Sequence, residues 1–175
     1  MAERNVLVDG GVNNVRTLAS GDTVANLTRV LFDDVADVAS SGTPTVLATN
    51  SIAANTFISD GGMLSAQYFG LMVASANERS LILKFGGTTI YSQLYDTATA
   101  ITWRLDCSII RESSSAVKCY VTIFMQGASS TEMTYTRITG LSLTSNAYNL
   151  ELTAEQTSNA DVTFKFSKCT YTPGI

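Results

Sequence analysis

Asp33, Asp34 and Asp37 bring three carboxylates close together, the raw material of a Ca²⁺ or Mg²⁺ site. They lack the ligand order and the bidentate glutamate of an EF-hand. The expected reading is therefore a solvated face, or the first turn of a helix, where carboxylates meet the positive end of the macrodipole. The sequence has no histidine, so the commonest general base and metal ligand is missing and no Ser-His-Asp set can form. Cys107, Cys119 and Cys169 show no CxxC spacing and are read as small buried hydrophobes. Gly86-Gly87 lacks the Gly-Lys-Ser/Thr ending of a phosphate loop and reads as a turn. No paired-carboxylate constellation stands out. No catalytic residue, metal or cofactor is expected, and the chain is read as a non-enzyme.

The aromatics are the remaining candidates. Trp103 shares strand parity with Leu105 and Ile109, which assigns it to a core rather than to ligand stacking. Tyr91, Tyr95, Tyr120 and Tyr135 are of more interest. Tyr120 and Phe124 have the parity opposite to Cys119 and Val121, so they face away from that core. Outward aromatics mark a subunit interface or a sugar platform. The interface is the reading adopted here.

Positioning these residues calls for a β scaffold. From Thr45 onward short alternating runs follow one another, separated by turn signals. Apolar stretches open at Met63 and Leu81, and the second continues through Gly86-Gly87 into Thr88, a two-residue hairpin signal. Trp103, Leu105, Cys107 and Ile109 share one face of a strand, and Val117, Cys119, Val121, Ile123 and Met125 make the next inward face. A hairpin centred near Ser113 places Cys107 opposite Cys119, with Arg111 and Glu112 as an exposed pair at its tip. Further strands are expected over Glu132 to Leu143, around Tyr148 to Ala154, and at the end, where Val162, Phe164 and Phe166 face inward. The predicted fold is all-β, an antiparallel jelly-roll β-sandwich of about eight strands.

Residues 1–45 differ from the rest and are expected to form an extended N-terminal arm ahead of a domain at 46–175. Short strand-turn units are read near Asn5 and Asn13. The apolar spacing of Leu27, Val30, Leu31, Val35 and Val38 allows a short helix capped by Asn26, or an irregular arm. Such a segment has too little apolar surface for its own core and needs a partner. Val6, Leu7, Val8, Leu18, Leu27, Leu31 and Phe32 join Tyr120 and Phe124 as the candidate interface.

Composition narrows the partners. The formal net charge is -4 and the sequence pI is about 4.7, with basic residues scattered singly, which argues against nucleic acid. Charged residues make up 15%, below the usual figure of about 25%, which suits broad protein contact. No apolar run approaches the roughly 18 residues of a membrane span, so no membrane insertion is expected. The opening Met1-Ala-Glu-Arg-Asn has no apolar core of a signal peptide, which points to folding in a cytoplasm.

Three ordered motifs carry a resemblance. Ser51-Ile-Ala-Ala-Asn-Thr-Phe-Ile-Ser-Asp-Gly-Gly, Leu81-Ile-Leu-Lys-Phe-Gly-Gly-Thr-Thr-Ile and Trp103-Arg-Leu-Asp-Cys-Ser-Ile-Ile-Arg together cover most of residues 50–125. They resemble the jelly-roll structural, decoration and fibre-head proteins of tailed bacteriophages. The opening Asn5-Val-Leu-Val-Asp-Gly-Gly also resembles phage fibre sequence. The resemblance implies a virion protein, usually a homotrimer. Its partner would be the major capsid protein, for a decoration (cement) protein. For the receptor-binding tip of a fibre it would be a fibre or baseplate protein, with host glycan as ligand. Either role places the chain at the virion surface after synthesis in the host cytoplasm.

Overall fold

The computed structural model describes residues 6–8, 15–17, 28–40, 44–74, 78–95, 99–126, 132–156 and 161–174. Its strands are β1 (Val6–Val8), β2 (Val15–Thr17), β3 (Arg29–Ala39), β4 (Thr45–Ile52), β5 (Met63–Met72), β6 (Arg79–Phe85), β7 (Thr88–Tyr95), β8 (Ile101–Ser113), β9 (Ala116–Met125), β10 (Glu132–Thr139), β11 (Tyr148–Gln156) and β12 (Val162–Thr172). No helix occurs among the described residues. β1 and β2 pair antiparallel as a separate hairpin.

The other ten strands form two antiparallel sheets, ordered β10-β9-β8-β5-β12-β3 and β4-β11-β6-β7. Four pairs are nested in sequence: β3 with β12, β4 with β11, β5 with β8 and β6 with β7. A long antiparallel hairpin rolled over on itself gives this nesting, and the result is a jelly roll of eight strands. β9 and β10 extend one sheet past β8 as a meander.

Strand alternation builds the core. β8 turns Trp103, Leu105, Cys107 and Ile109 inward, each no more than 1% exposed, against Leu81, Leu83, Leu150 and Leu152 of the facing sheet. Trp103 sits opposite Gly70 across β5 and β8. A Cβ on Gly70 would lie 2.3 Å from the indole and 2.1 Å from the Thr163 carbonyl, so the absence of a side chain there makes room for the ring. Gly86 and Gly87 close the β6–β7 hairpin with φ of 57° and 81°, the two left-handed positions of a type I′ turn. The edges β7 and β10 meet where the Thr134 hydroxyl donates to the Ile90 carbonyl at 3.2 Å.

Several expectations are corrected. Residues 29–39 are neither a helix nor an irregular arm. They form β3, the first strand of the roll, hydrogen-bonded along β12. Phe32, Ala36 and Val38 pack against the core while Asp33, Val35 and Asp37 are exposed, a period of two. Asp33 and Asp34 therefore turn to opposite sides, and Asp37 pairs with Lys165 at 2.8 Å. Phe166 does not follow Phe164 inward. A bulge at Lys165, between Phe164 and Phe166, reverses the parity, so Ser167, Cys169 and Tyr171 are buried in its place. The strand from Glu132 stops at Thr139 instead of reaching Leu143.

The β8–β9 hairpin turns at Ser114–Ser115 and carries a bulge between Arg111 and Ser113, which shifts the register from the one expected. Cys107 pairs with Val121, and Cys119 pairs with Ile109, so the two cysteines are diagonal neighbours on the inner face. Arg111 is buried rather than paired at an exposed tip. It donates to Asp60 Oδ1 at 2.8 Å and to the Phe57 carbonyl, holding the 53–62 loop on the end of β8. Glu112 instead takes Arg137 at 2.5 Å and Lys118 at 3.4 Å.

Two glycines separate space from backbone conformation. Gly70→Ala must displace the Thr163 backbone or the indole, and an overpacked core site typically loses about 1–3 kcal/mol or more. Gly87→Ala meets nothing within 4 Å and should lose only about 1–2 kcal/mol for its left-handed φ. Urea unfolding of both variants checks this. Equal losses would mean that Trp103 is not packed against Gly70.

Candidate functional site

The register fixes which side chains meet on the outer face of the six-stranded sheet. One row runs Phe124, Arg104, Phe69, Phe166 and Val35 across β9, β8, β5, β12 and β3. The next runs Met133, Thr122, Asp106, Gln67, Lys168 and Asp33. A third runs Tyr135, Tyr120, Ser108, Ser65, Thr170 and Val30. The middle row is polar from Thr122 to Asp33, and each neighbouring row carries aromatic rings.

Contacts within the rows give them shape. The Arg104 guanidinium lies 4.3 Å from the centroid of the Phe124 ring, a cation–π contact. Phe69 and Phe166 sit 5.6 Å apart in a tilted pair, which the Lys165 bulge makes possible. Tyr120 and Tyr135 are 5.1 Å apart at 42°. In the polar row, Gln67 Nε2 donates to Asp106 Oδ1 at 3.2 Å, and Arg104 reaches Asp106 Oδ2 at 3.1 Å. Both carboxylate oxygens are thereby oriented, and each keeps a lone pair for a further donor. Short residues in the middle strands leave a depression of about 330 Å³ lined by Ser65, Gln67, Asp106, Ser108, Lys168 and Thr170. A second, apolar hollow of about 250 Å³ lies beside it against Phe69, Arg104 and Phe124.

Of the candidate interface residues, the structure places Tyr120 and Phe124 on this outer face, each 37% exposed. Leu31 and Phe32 of β3 are half-buried against the core. Val6, Leu7 and Val8 form β1 of the separate hairpin. Leu18 and Leu27 lie outside the described residues. Among the described side chains of this set, Tyr120 and Phe124 share the outer face, while Leu31 and Phe32 turn toward the core. Tyr91 and Tyr95 are not outward platforms: both are buried, with their hydroxyls bonded to each other, while Tyr135 is 53% exposed. Sequence reasoning passed over Asp106, Gln67, Lys168, Phe69 and Phe166 as site residues. Parity alone already put Asp106 and Ser108 outward on β8. The rest depended on the register.

The cysteine thiols lie beneath this face rather than on it: Cys107 adjoins the depression between Asp106 and Ser108 but is only 1% exposed. All three cysteines are free and buried in the inner layer. Burial pushes the Cys119 and Cys169 thiols from 9.0 up to about 12. Cys107 is raised by burial first, and then by the neighbouring Cys119 and Cys169. Burial likewise raises Tyr91 from 10.0 to about 12, against the lowering effect of its bond to Tyr95. Among the described residues no group of three acidic or cysteine side chains is placed to hold a metal.

No protein-family model matches the chain, and no curated protein matches its sequence. Among solved structures it is similar to the CBM2 module of the evolved Dit of Lactobacillus casei BL23 phage J-1. That match has a TM-score of 0.40 and 8% identity, over 87% of this chain and 99% of that one. A protein of unknown function from Shewanella oneidensis MR-1 gives 0.35 and 8%, over 89% of this chain and 83% of that one. A chain of infectious bursal disease virus, Gx strain, gives 0.35 and 11%, over 99% of this chain, which spans 37% of that one. Likenesses at this level carry no argument, and function rests on the chain's own residues.

Two outcomes follow from the buried titrating groups. A thiol reagent should leave all three cysteines of the native protein unmodified at neutral pH and modify all of them after unfolding. Rapid native labelling would contradict the burial. Groups whose folded pKa is raised stabilise fully below their unfolded values and lose that stabilisation as pH climbs through the folded ones. Stability should therefore fall as pH rises from 9.0 to about 12 through Cys119 and Cys169, and from 10.0 to about 12 through Tyr91. Urea midpoints measured along an alkaline series read this out, and flat midpoints would contradict it.

Proposed function

We propose that the chain is a non-enzymatic structural protein of a tailed-phage virion: a homotrimeric decoration protein on the major capsid protein, displayed at the virion surface after synthesis in the host cytoplasm. The observation that carries this reading is where the resembling motifs fall in the roll. The 51–62 motif spans the end of β4 and the loop that Arg111 holds, the 81–90 motif is the β6–β7 hairpin, and the 103–111 motif is β8. Each motif thus occupies a position that the roll itself requires. In this reading residues 1–45 attach the protein to the shell and the head at 46–175 faces outward, although Arg29–Ala39 is also hydrogen-bonded into the head's sheet. Ordering an attachment segment costs conformational entropy, which burial on the partner offsets.

A second reading, the receptor-binding tip of a fibre or baseplate, is favoured by one observation. The outer face of the six-stranded sheet carries a polar depression between the exposed Tyr120 and Tyr135 on one side and Phe124 with the half-buried Phe69 and Phe166 on the other, a surface suited to a small ligand.

Quantitative mass spectrometry of purified virions separates the two. Decoration predicts a copy number comparable to that of the major capsid protein, and a trimer by analytical ultracentrifugation. A few copies per particle would put the fibre tip first, and absence from purified virions would overturn both readings.

A further inference from the structure

We infer that the polar depression on the outer face of the six-stranded sheet is a binding site for a neutral pyranoside. It is lined by Ser65, Gln67, Asp106, Ser108, Lys168 and Thr170.

The chemistry of the lining selects the ligand class. Asp106 is an acceptor held in place from both sides, by Gln67 at 3.2 Å and Arg104 at 3.1 Å. Lys168 lies next to Gln67 in the same row and supplies donors, while Ser65, Ser108 and Thr170 can both donate and accept. A ligand that fills this floor must offer donors and acceptors at close spacing, as adjacent ring hydroxyls do. Arg104 and Lys168 balance Asp106 and Asp33 on this part of the face, so the lining favours no net ligand charge. That weighs against a phosphate, a sialylated sugar or a nucleic acid.

Rings stand where a pyranose needs them. Tyr120 is directly opposite Ser108 in the register, and Tyr135 stands beside it, both exposed. The C–H face of a sugar ring can pack on such a platform while its hydroxyls reach the polar floor. The Phe69–Phe166 pair and the Phe124–Arg104 pair border the other side.

A protein partner fits less well. Interface cores are depleted in charged residues, because desolvating them is costly unless each is fully paired. Here Asp106 and Lys168 sit at the centre of the face, where a flat protein surface would have to match each in turn. The depression of about 330 Å³ is at the small end of ligand sites, which run from about 300 to 1,000 Å³, so one or two sugar units fill it.

The inference stands on this face and not on the virion reading. A protein that binds pyranosides but is absent from virions overturns only the virion readings, and a virion protein that ignores pyranosides overturns this inference and the support for the fibre tip while leaving the decoration reading standing.

The test is a titration of the full chain with methyl glucopyranoside, methyl galactopyranoside and methyl N-acetylglucosaminide, followed by amide chemical shifts. Saturable shifts are expected with at least one of them, confined to residues 65–67, 106–108, 120, 135 and 168–170. Asp106→Asn should weaken binding about tenfold, the loss expected for a hydrogen bond to a charged group. Tyr120→Ala should weaken it as well, and Ser108→Tyr should abolish it by filling the depression. Leu94→Ala, exposed on the other sheet, should leave it unchanged. Dispersed spectra of the variants confirm folding. No saturable shift with any of the three probes, or shifts that persist in Asp106→Asn and Ser108→Tyr, would overturn the site, as would a second copy of the chain covering the face in solution.

Discussion

The register of β5 between β12 and β8 is the constraint from which the molecule's two working surfaces follow. With a side-chain period of two, the residues that β5 sends inward, Leu64, Ala66, Tyr68 and Met72, are matched by inward residues of both neighbours. The same register lines up the outward residues Ser65, Gln67 and Phe69 with Ser108, Asp106 and Arg104 on one side and with Thr170, Lys168 and Phe166 on the other. A slip of one residue would send the core side chains into water and dissolve the outer rows together. The core and the outer face are therefore a single solution, and the close fit of Trp103 over Gly70 is part of it.

The Lys165 bulge shows how little it takes to shape such a face. One extra residue in β12 moves Phe166 outward onto Phe69 and places Ser167, Cys169 and Tyr171 inward. It leaves Lys165 free to meet Asp37 of the edge strand. Bulges re-aim side chains at sites where a uniform ladder would not. Here the bulge converts a would-be core aromatic into a half-buried part of the outer aromatic border.

The sequence made some of this legible and hid the rest. β8 could be read because Trp103, Leu105, Cys107 and Ile109 alternate without interruption, and the Gly86-Gly87 turn because two adjacent glycines have few other uses between strands. β3 was obscured because Leu27, Val30, Leu31, Val35 and Val38 also fit a helical period. Its true signal was the alternation of Asp33, Val35 and Asp37 with half-buried neighbours, which is weak in an edge strand. The bulges near Lys165 and Glu112 left no mark in the residue pattern, so the inward parity of Phe166 and the pairing of Cys107 with Cys119 were both misplaced. The depression could not be read at all. Its lining comes from β5, β8 and β12, far apart in sequence, and only their register brings the six residues together.

These features combine in one account: a rolled hairpin with a tightly specified core presents an outer sheet face to its surroundings, and in the proposed function those surroundings are the outside of a virion. The measurement that tests this most directly is a cryo-EM reconstruction of the virion at a resolution that distinguishes the two sheets. The account predicts density for the jelly roll, β3 included, at the particle surface, with the Asp106 face open to solvent. A reconstruction in which that face is buried against the shell, or in which no jelly-roll density appears on the particle, would contradict it.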